Sequence, residues 1–393
     1  MGLPFTVAEY RTRLDKVRQR MADRGIDLLL VSEPSNIYWL TGIGDWSFYV
    51  PQFALIRGDE TQPWWIGRAM DAPGARLSGW MDDDRVIAYP EYYIHRPRTH
   101  PSDAIGAVMV DRGWGGLRIG YESDSYYFSP KSLAHLQKAL PNATFVDGDL
   151  LVNWARATKS EAELAYMRQA ATIVAGAMAV AQEHIKPGVR QCDAVGEIYK
   201  AQIAPAEPYG GDFAALCPMI LVGEKASTAH PIWSDAPFEG DQTVAVELAG
   251  SRKHYNCALA RTLHLGANPP APLVDTAKAV EEGLEAVLAT LKAGVTGHEA
   301  HAAWNAVLAR HGLTKESRIG YAIGVGFPPD WGEHTISLRA GEIHPLETDT
   351  TLHIMLGMWM DGWGMAMSET VRITPTGVEC LTQFPRELHV KGR

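Results

Sequence analysis

The four cysteines, Cys192, Cys217, Cys257 and Cys380, show no paired spacing of the C-x-x-C kind, which leaves a zinc knuckle or a disulfide framework without support. They read as reduced, mostly buried thiols of a cytoplasmic protein. Long apolar runs are missing too. No stretch of about 18 apolar residues occurs, and the N-terminal MGLPFTVAEYRTRLDKVRQRM has no apolar core of the signal-peptide kind, so neither a membrane span nor export is expected. Basic residues do not cluster: 36 lysines and arginines are scattered among 46 aspartates and glutamates, for a net charge of −10. That balance argues against nucleic acid or an anionic membrane as the main partner and favours a small polar substrate. Internal repeats, low-complexity tracts and an acidic tail are also absent, the chain ending compactly at HVKGR.

What is present is apolar material, 46% of 393 residues, enough for a large core and two domains. Leu14, Val17 and Met21 at helical spacing predict a helix from Val7 to Arg24, and IDLLLVS between Gly25 and Pro34 predicts a buried strand. Helix followed by buried strand indicates an α/β domain. Short strands are predicted at 53–57, 64–66, 86–88 and 117–121, and helices at 103–111 and 130–140. Near residue 150 the pattern changes. Ser160 as N-cap, with Glu161 and Glu163 in the first turn, opens a long amphipathic helix that ends before Pro187 and Gly188. Beyond it, helices predicted near 193–204, 272–292 and 298–310 alternate with strand pairs, an α+β order. The expected division is a smaller α/β domain over 1–152 and an α+β domain over 153–393.

Between Val244 and Thr262 the chain reads VAVELAGSRKHYNCALART, a strand, a turn and a second strand. This segment resembles the first metal-binding hairpin of the pita-bread family of creatinase, prolidase and aminopeptidase P. Other segments agree in order: NIYWLTG at 36–42, the junction around Arg156, Lys159, Ser160 and Glu161, VGEKASTAH ending at His230, GYAIGVG at 320–326 and SETVRITPTGVECLT at 368–382. The resemblance covers most of the chain. It implies a creatinase-type, ribonuclease-H-like N-terminal domain, a pita-bread catalytic domain and a homodimer.

The departures from that pattern carry the functional information. Metal enzymes of the family use two aspartates, a histidine and two glutamates, because two hard cations bridged by water need a cluster of oxygen donors with at least one nitrogen. The corresponding positions here are Glu247, Ala258, Tyr321, Met355 and Ser368, with Glu369 next door. Ala258 and Met355 cannot ligate a hard divalent ion and neutral Tyr321 is a poor substitute for histidine, so no metal and no other cofactor is expected. The hairpin half YNCALARTL resembles that of creatinase, a metal-free member of the family.

The resemblance implies that His230, Glu247 and Glu369 converge in the emptied pocket as the catalytic group. Glu247 would act as nucleophile or base, His230 as proton carrier and Glu369 as the anchor of substrate N–H groups. Carboxylates without cations make a negative cavity, which favours an amidinium or guanidinium group, and aromatic faces suit such delocalised cations. Trp39, and Tyr93, His95 and Arg96 in EYYIHRPR, are candidates for a substrate-binding rim donated by an N-terminal domain; Tyr321 belongs to the same set. Arg96 or Arg339 could pair with a substrate carboxylate. His254, His264 and His353 are read as ordinary structural histidines. The implied activity is metal-independent hydrolysis of a small cyclic amidine bearing a carboxylate, ectoine being the type substrate. A creatinase-type amidinohydrolase, a metal-dependent proline dipeptidase or dimethylsulfoniopropionate lyase, and a non-catalytic binding module stay open as alternatives.

Overall fold

The computed structural model describes residues 2–148, 150–205 and 208–392. The chain divides into two units, Met1–Arg156 and Ala157–Arg393, so the expected boundary at 152 falls inside a short helix. In the first unit the elements are α1 (Val7–Asp23), β1 (Leu28–Val31), α2 (Pro34–Thr41), β2 (Phe53–Arg57), β3 (Trp64–Arg68), α3 (Ala72–Ser78), β4 (Val86–Tyr89), α4 (Pro101–Asp111), β5 (Arg118–Tyr121), α5 (Pro130–Ala139), β6 (Thr144–Asp147) and α6 (Leu151–Arg156). The strands form one mixed sheet in the order β4-β3-β2-β1-β5-β6. Central β1, LLLV, is buried at every position, as a strand covered on both faces requires. Thr6 caps α1 by accepting from the Glu9 amide, and Tyr10, Leu14, Val17 and Met21 form its buried stripe. The NIYWLTG segment is helix α2, buried along its whole length and ended by Gly42 at φ +80°.

The second unit contains α7 (Glu161–His184), α8 (Gln191–Ile203), β7 (Met219–Val222), β8 (Thr243–Arg252), β9 (Tyr255–His264), α9 (Ala271–Thr290), α10 (Gly297–Arg310), β10 (Gly320–Phe327), β11 (Asp330–Ser337), β12 (Thr351–Met360), β13 (Trp363–Ile373), β14 (Val378–Cys380) and β15 (His389–Val390). Its strands follow the order β14-β13-β12-β10-β9-β8-β7, with β11 on β10 and β15 beside β9. The first unit has the expected α/β order and the second the expected α+β order. Ser160 and Glu163 close a capping box at the start of α7. By length and composition α7 could cross a bilayer, yet it lies against β8 and β9 with Leu164, Met167, Ile173, Val174 and Met178 buried, as the central core helix of this unit.

The seat of β8 on α7 depends on one glycine. A Cβ at Gly250 would stand 2.0 Å from the Ala170 carbonyl oxygen and 2.7 Å from the Val174 amide nitrogen. Backbone cannot yield as a flexible side chain can, so any side chain here pushes β8 off the helix. Gly250→Ala is expected to lower unfolding free energy by about 3 kcal/mol, read by denaturant titration; an unchanged midpoint contradicts this packing.

Candidate active site

Strand pairing decides which side chains meet. Glu247 on β8 pairs with Ala260 on β9, and Ala249 pairs with Ala258. Directly paired residues point to the same face of a sheet, so Glu247, Ala258 and Ala260 share one. Tyr321 on β10 pairs with His353 on β12, and Met355 two residues further pairs with Ser368 on β13. His353, Met355, Ser368 and Thr370 therefore line one continuous face, on which Tyr321 also sits.

The hydroxyls of that face are already used. Ser368 Oγ accepts from the Ala260 amide at 2.6 Å, while Thr370 Oγ1 accepts from the Ala258 amide at 3.0 Å and donates to the Ala258 carbonyl at 2.8 Å. These bonds fasten β13 to β9 at the two alanines. Where a dinuclear centre needs a carboxylate there is a methyl group, and where it needs a glutamate there is a serine hydroxyl committed to backbone. No group of three or more histidine, cysteine, aspartate or glutamate side chains able to hold a metal ion occurs among the described residues. The donor set does not fit a pair of hard cations.

One carboxylate remains at this face. Glu247 is only 8% exposed, and burial alone pushes its carboxyl up from 4.5 to about 7. His353 is fully buried with Nδ1 4.0 Å from Glu247 Oε1, too long for a direct hydrogen bond and short enough for one bridging group. Burial, reinforced by the charge of Arg318, holds this imidazole down at about 3, so it is neutral at working pH. Its Nδ1 lies 3.3 Å from the Tyr321 hydroxyl, which receives the Trp331 indole N–H at 2.8 Å. An indole can only donate, which leaves the phenolic proton free for Nδ1 and puts the imidazole proton on Nε2. That nitrogen has no hydrogen-bond partner among the described residues. Glu247, His353, Tyr321 and Trp331 thus form a buried array able to accept and pass a proton.

The other expected site residues are placed differently. Glu369 points to the opposite face from its neighbour Ser368, because successive side chains of a strand alternate. Its carboxylate is fully buried; Oε1 accepts from Arg261 at 2.6 Å and Arg386 at 3.0 Å, and Oε2 accepts from the Thr382 hydroxyl. It is a core ion-pair partner with no free oxygen for a substrate. His230 is exposed in the segment after the short turn Gly223–Ser227, and no hydrogen bond or ion pair joins it to Glu247 among the described residues. His353, read from sequence as structural, is the imidazole beside Glu247. Trp39 is 1% exposed, with the Arg13 guanidinium 5.1 Å over its ring and donating to its carbonyl, so it is core of the first unit and cannot form a rim. Tyr93 is half-buried against the core of that unit, His95 stacks on Tyr49 at 5.4 Å, and Arg96 is exposed. Arg339 is exposed in the turn after β11. Of the nine, only Glu247 and Tyr321 stand together.

Residues 165–375 match the family model described as metallopeptidase family M24, and residues 13–158 match the creatinase/prolidase N-terminal domain. The ectoine hydrolase of Halomonas elongata is 43% identical over 398 aligned residues, covering 100% of this chain and 99% of that protein. An uncharacterized hydrolase/peptidase of Sinorhizobium fredii is 41% identical, covering 99% of each. Among solved structures, the dipeptidase PepE of Mycobacterium ulcerans superposes with a TM-score of 0.81 at 19% identity over 99% of this chain and 100% of that one, a likeness of fold alone.

Two consequences can be measured. Glu247 favours the folded state while protonated, so its contribution is complete below pH 4.5 and is lost as pH rises through about 7. Glu247→Gln is expected to match the wild type near pH 4 and exceed its stability by about 3 kcal/mol near pH 8; equal stability at both pH values rules out the raised carboxyl. Glu369→Ala strands the buried Arg261 charge and is expected to cost about 3–5 kcal/mol in denaturant titration. A fully stable variant that has merely lost turnover would return Glu369 to the substrate pocket.

Proposed function

This chain is a hydrolase of the metallopeptidase family M24 with a creatinase/prolidase N-terminal domain, and we propose that it opens the cyclic amidine ring of ectoine to N-acetyl-2,4-diaminobutyrate without a metal ion. The observation that carries this reading is the 43% identity to the Halomonas elongata ectoine hydrolase across the whole of both chains. The donor set around Glu247 supports the metal-free part, since a lone carboxylate with a neutral imidazole is suited to proton transfer and unsuited to two cations. The homodimer is taken from the family resemblance, and the cytoplasmic location from the cysteines that show no paired spacing.

The chemistry requires addition at the amidine carbon and departure of one ring nitrogen. The protonated amidinium carbon is the electrophile, and its charge is drawn to ionised Glu247 in a pocket of low dielectric. Glu247 takes the proton of an attacking water as the new C–O bond forms, or attacks the carbon itself with water following. The ring C–N bond then breaks, its electron pair going to the nitrogen, which accepts a proton and leaves as the amine. His353, one bridging group from Glu247 Oε1, is placed to carry that proton, and the Tyr321 hydroxyl orients its ring. In both versions Glu247 must begin ionised.

The kcat/KM for ectoine is therefore expected to rise about tenfold per pH unit below pH 7 and to level off above it. Protein stripped with a chelator should keep full turnover, with the product identified by mass, and should leave creatine untouched. Activity lost on stripping and restored by a divalent cation would overturn the metal-free reading, and hydrolysis of creatine in place of ectoine would move the protein to the amidinohydrolases.

A further inference from the structure

Arg318 precedes β10 by two residues and is exposed. Its guanidinium carbon stands 4.4 Å over the Tyr321 ring, and its Nη1 donates to Ser337 Oγ at 3.3 Å. No carboxylate lies within ion-pair distance of it among the described residues. The ring it covers is the one whose hydroxyl touches His353, which in turn faces Glu247. The charge of Arg318 reaches His353 and Tyr321 of the array, and Asp330 next to Trp331 in the chain. The array thus has two poles, the ionisable carboxylate of Glu247 inside and the guanidinium of Arg318, which no carboxylate pairs among the described residues, outside, with the face of Tyr321 between them.

We infer that Arg318 grips the carboxylate of a zwitterionic cyclic amidine, and so selects substrates that carry an acid group on the ring. The inference rests on the amidine reading above. A planar guanidinium presents paired N–H donors that match a carboxylate, and its stacking on Tyr321 orders those donors in advance of binding. A substrate with amidinium and carboxylate on one small ring can then satisfy both poles together: the amidinium toward Glu247, the carboxylate toward Arg318. An amidine lacking the acid satisfies only the inner one. Arg96 and Arg339, exposed and without a described contact to the array, offer no such coupling.

The test is calorimetric binding and steady-state turnover of ectoine and of its carboxylate-free analogue, 2-methyl-tetrahydropyrimidine, in wild type, Arg318→Gln and Arg318→Lys. In Arg318→Gln, Kd and KM for ectoine are expected to rise by about 30-fold, the worth of a charge-assisted hydrogen-bonded pair. The lost charge also reaches His353 and Tyr321 and moves kcat for both compounds together, so the readout is the preference for ectoine over the analogue in kcat/KM, which should fall by the same factor. Arg318→Lys should recover part of the loss. Equal weakening of ectoine and analogue would make Arg318 a structural support of Tyr321 and overturn the assignment, as would a variant indistinguishable from wild type. Tight binding of ectoine without hydrolysis would refute the proposed reaction while leaving the grip in place; ectoine that neither binds nor reacts would refute both.

Discussion

A carboxyl group held out of water, with no lysine or arginine paired to it among the described residues, is the constraint from which the rest of the site follows. By the family resemblance Glu247 stands at a strand position where metal-dependent members keep a ligand, and no basic side chain here holds its proton off. Burial then favours the protonated form, and the group titrates near neutrality instead of near 4.5. A carboxyl group that titrates there gives and takes protons at working pH. The same burial keeps His353 neutral, so that the two face each other as an acid and a base of the kind proton transfer requires.

Thr370 and Ser368 reach across from β13 to the backbone of β9 at Ala258 and Ala260 and fasten the two strands there. Behind them, on the other face of the same strand, the buried pair of Arg261 and Glu369 ties β9 to β13 and to the C-terminal segment through the carbonyls of Phe384 and Pro385. A buried ion pair of this kind is satisfied on every side, which limits its cost and makes the register of β9 against β13 hard to shift. Glu247 is placed against this fastened pair of strands by its own pairing with Ala260.

Much of this was legible in the sequence, and what was not failed for specific reasons. The capping box at Ser160, the buried strand at Leu28–Val31 and the hairpin around Glu247 carry local signals that the fold respects. The resemblance places Glu247 and Ala258 at corresponding positions of one hairpin, and the strand register puts both on one face. The same rule, applied one residue further, assigns Glu369 to the far side of Ser368; adjacency in the chain was taken as adjacency in space. His353 lies two residues before Met355 on one strand, so alternation alone could have found it once the family position of Met355 was fixed. His230 depended on a loop, where no periodicity speaks. Trp39, a rim candidate because aromatic faces suit delocalised cations, is core.

The central claim is that Glu247 works as a bare carboxyl with a proton affinity set by burial. Infrared difference spectroscopy of chelator-treated wild type against Glu247→Gln, followed from about pH 5 to 9, isolates the carbonyl band of this one protonated side chain. The account predicts a band present at pH 5 that disappears with a midpoint near 7. A carboxylate already ionised at pH 5 would contradict it.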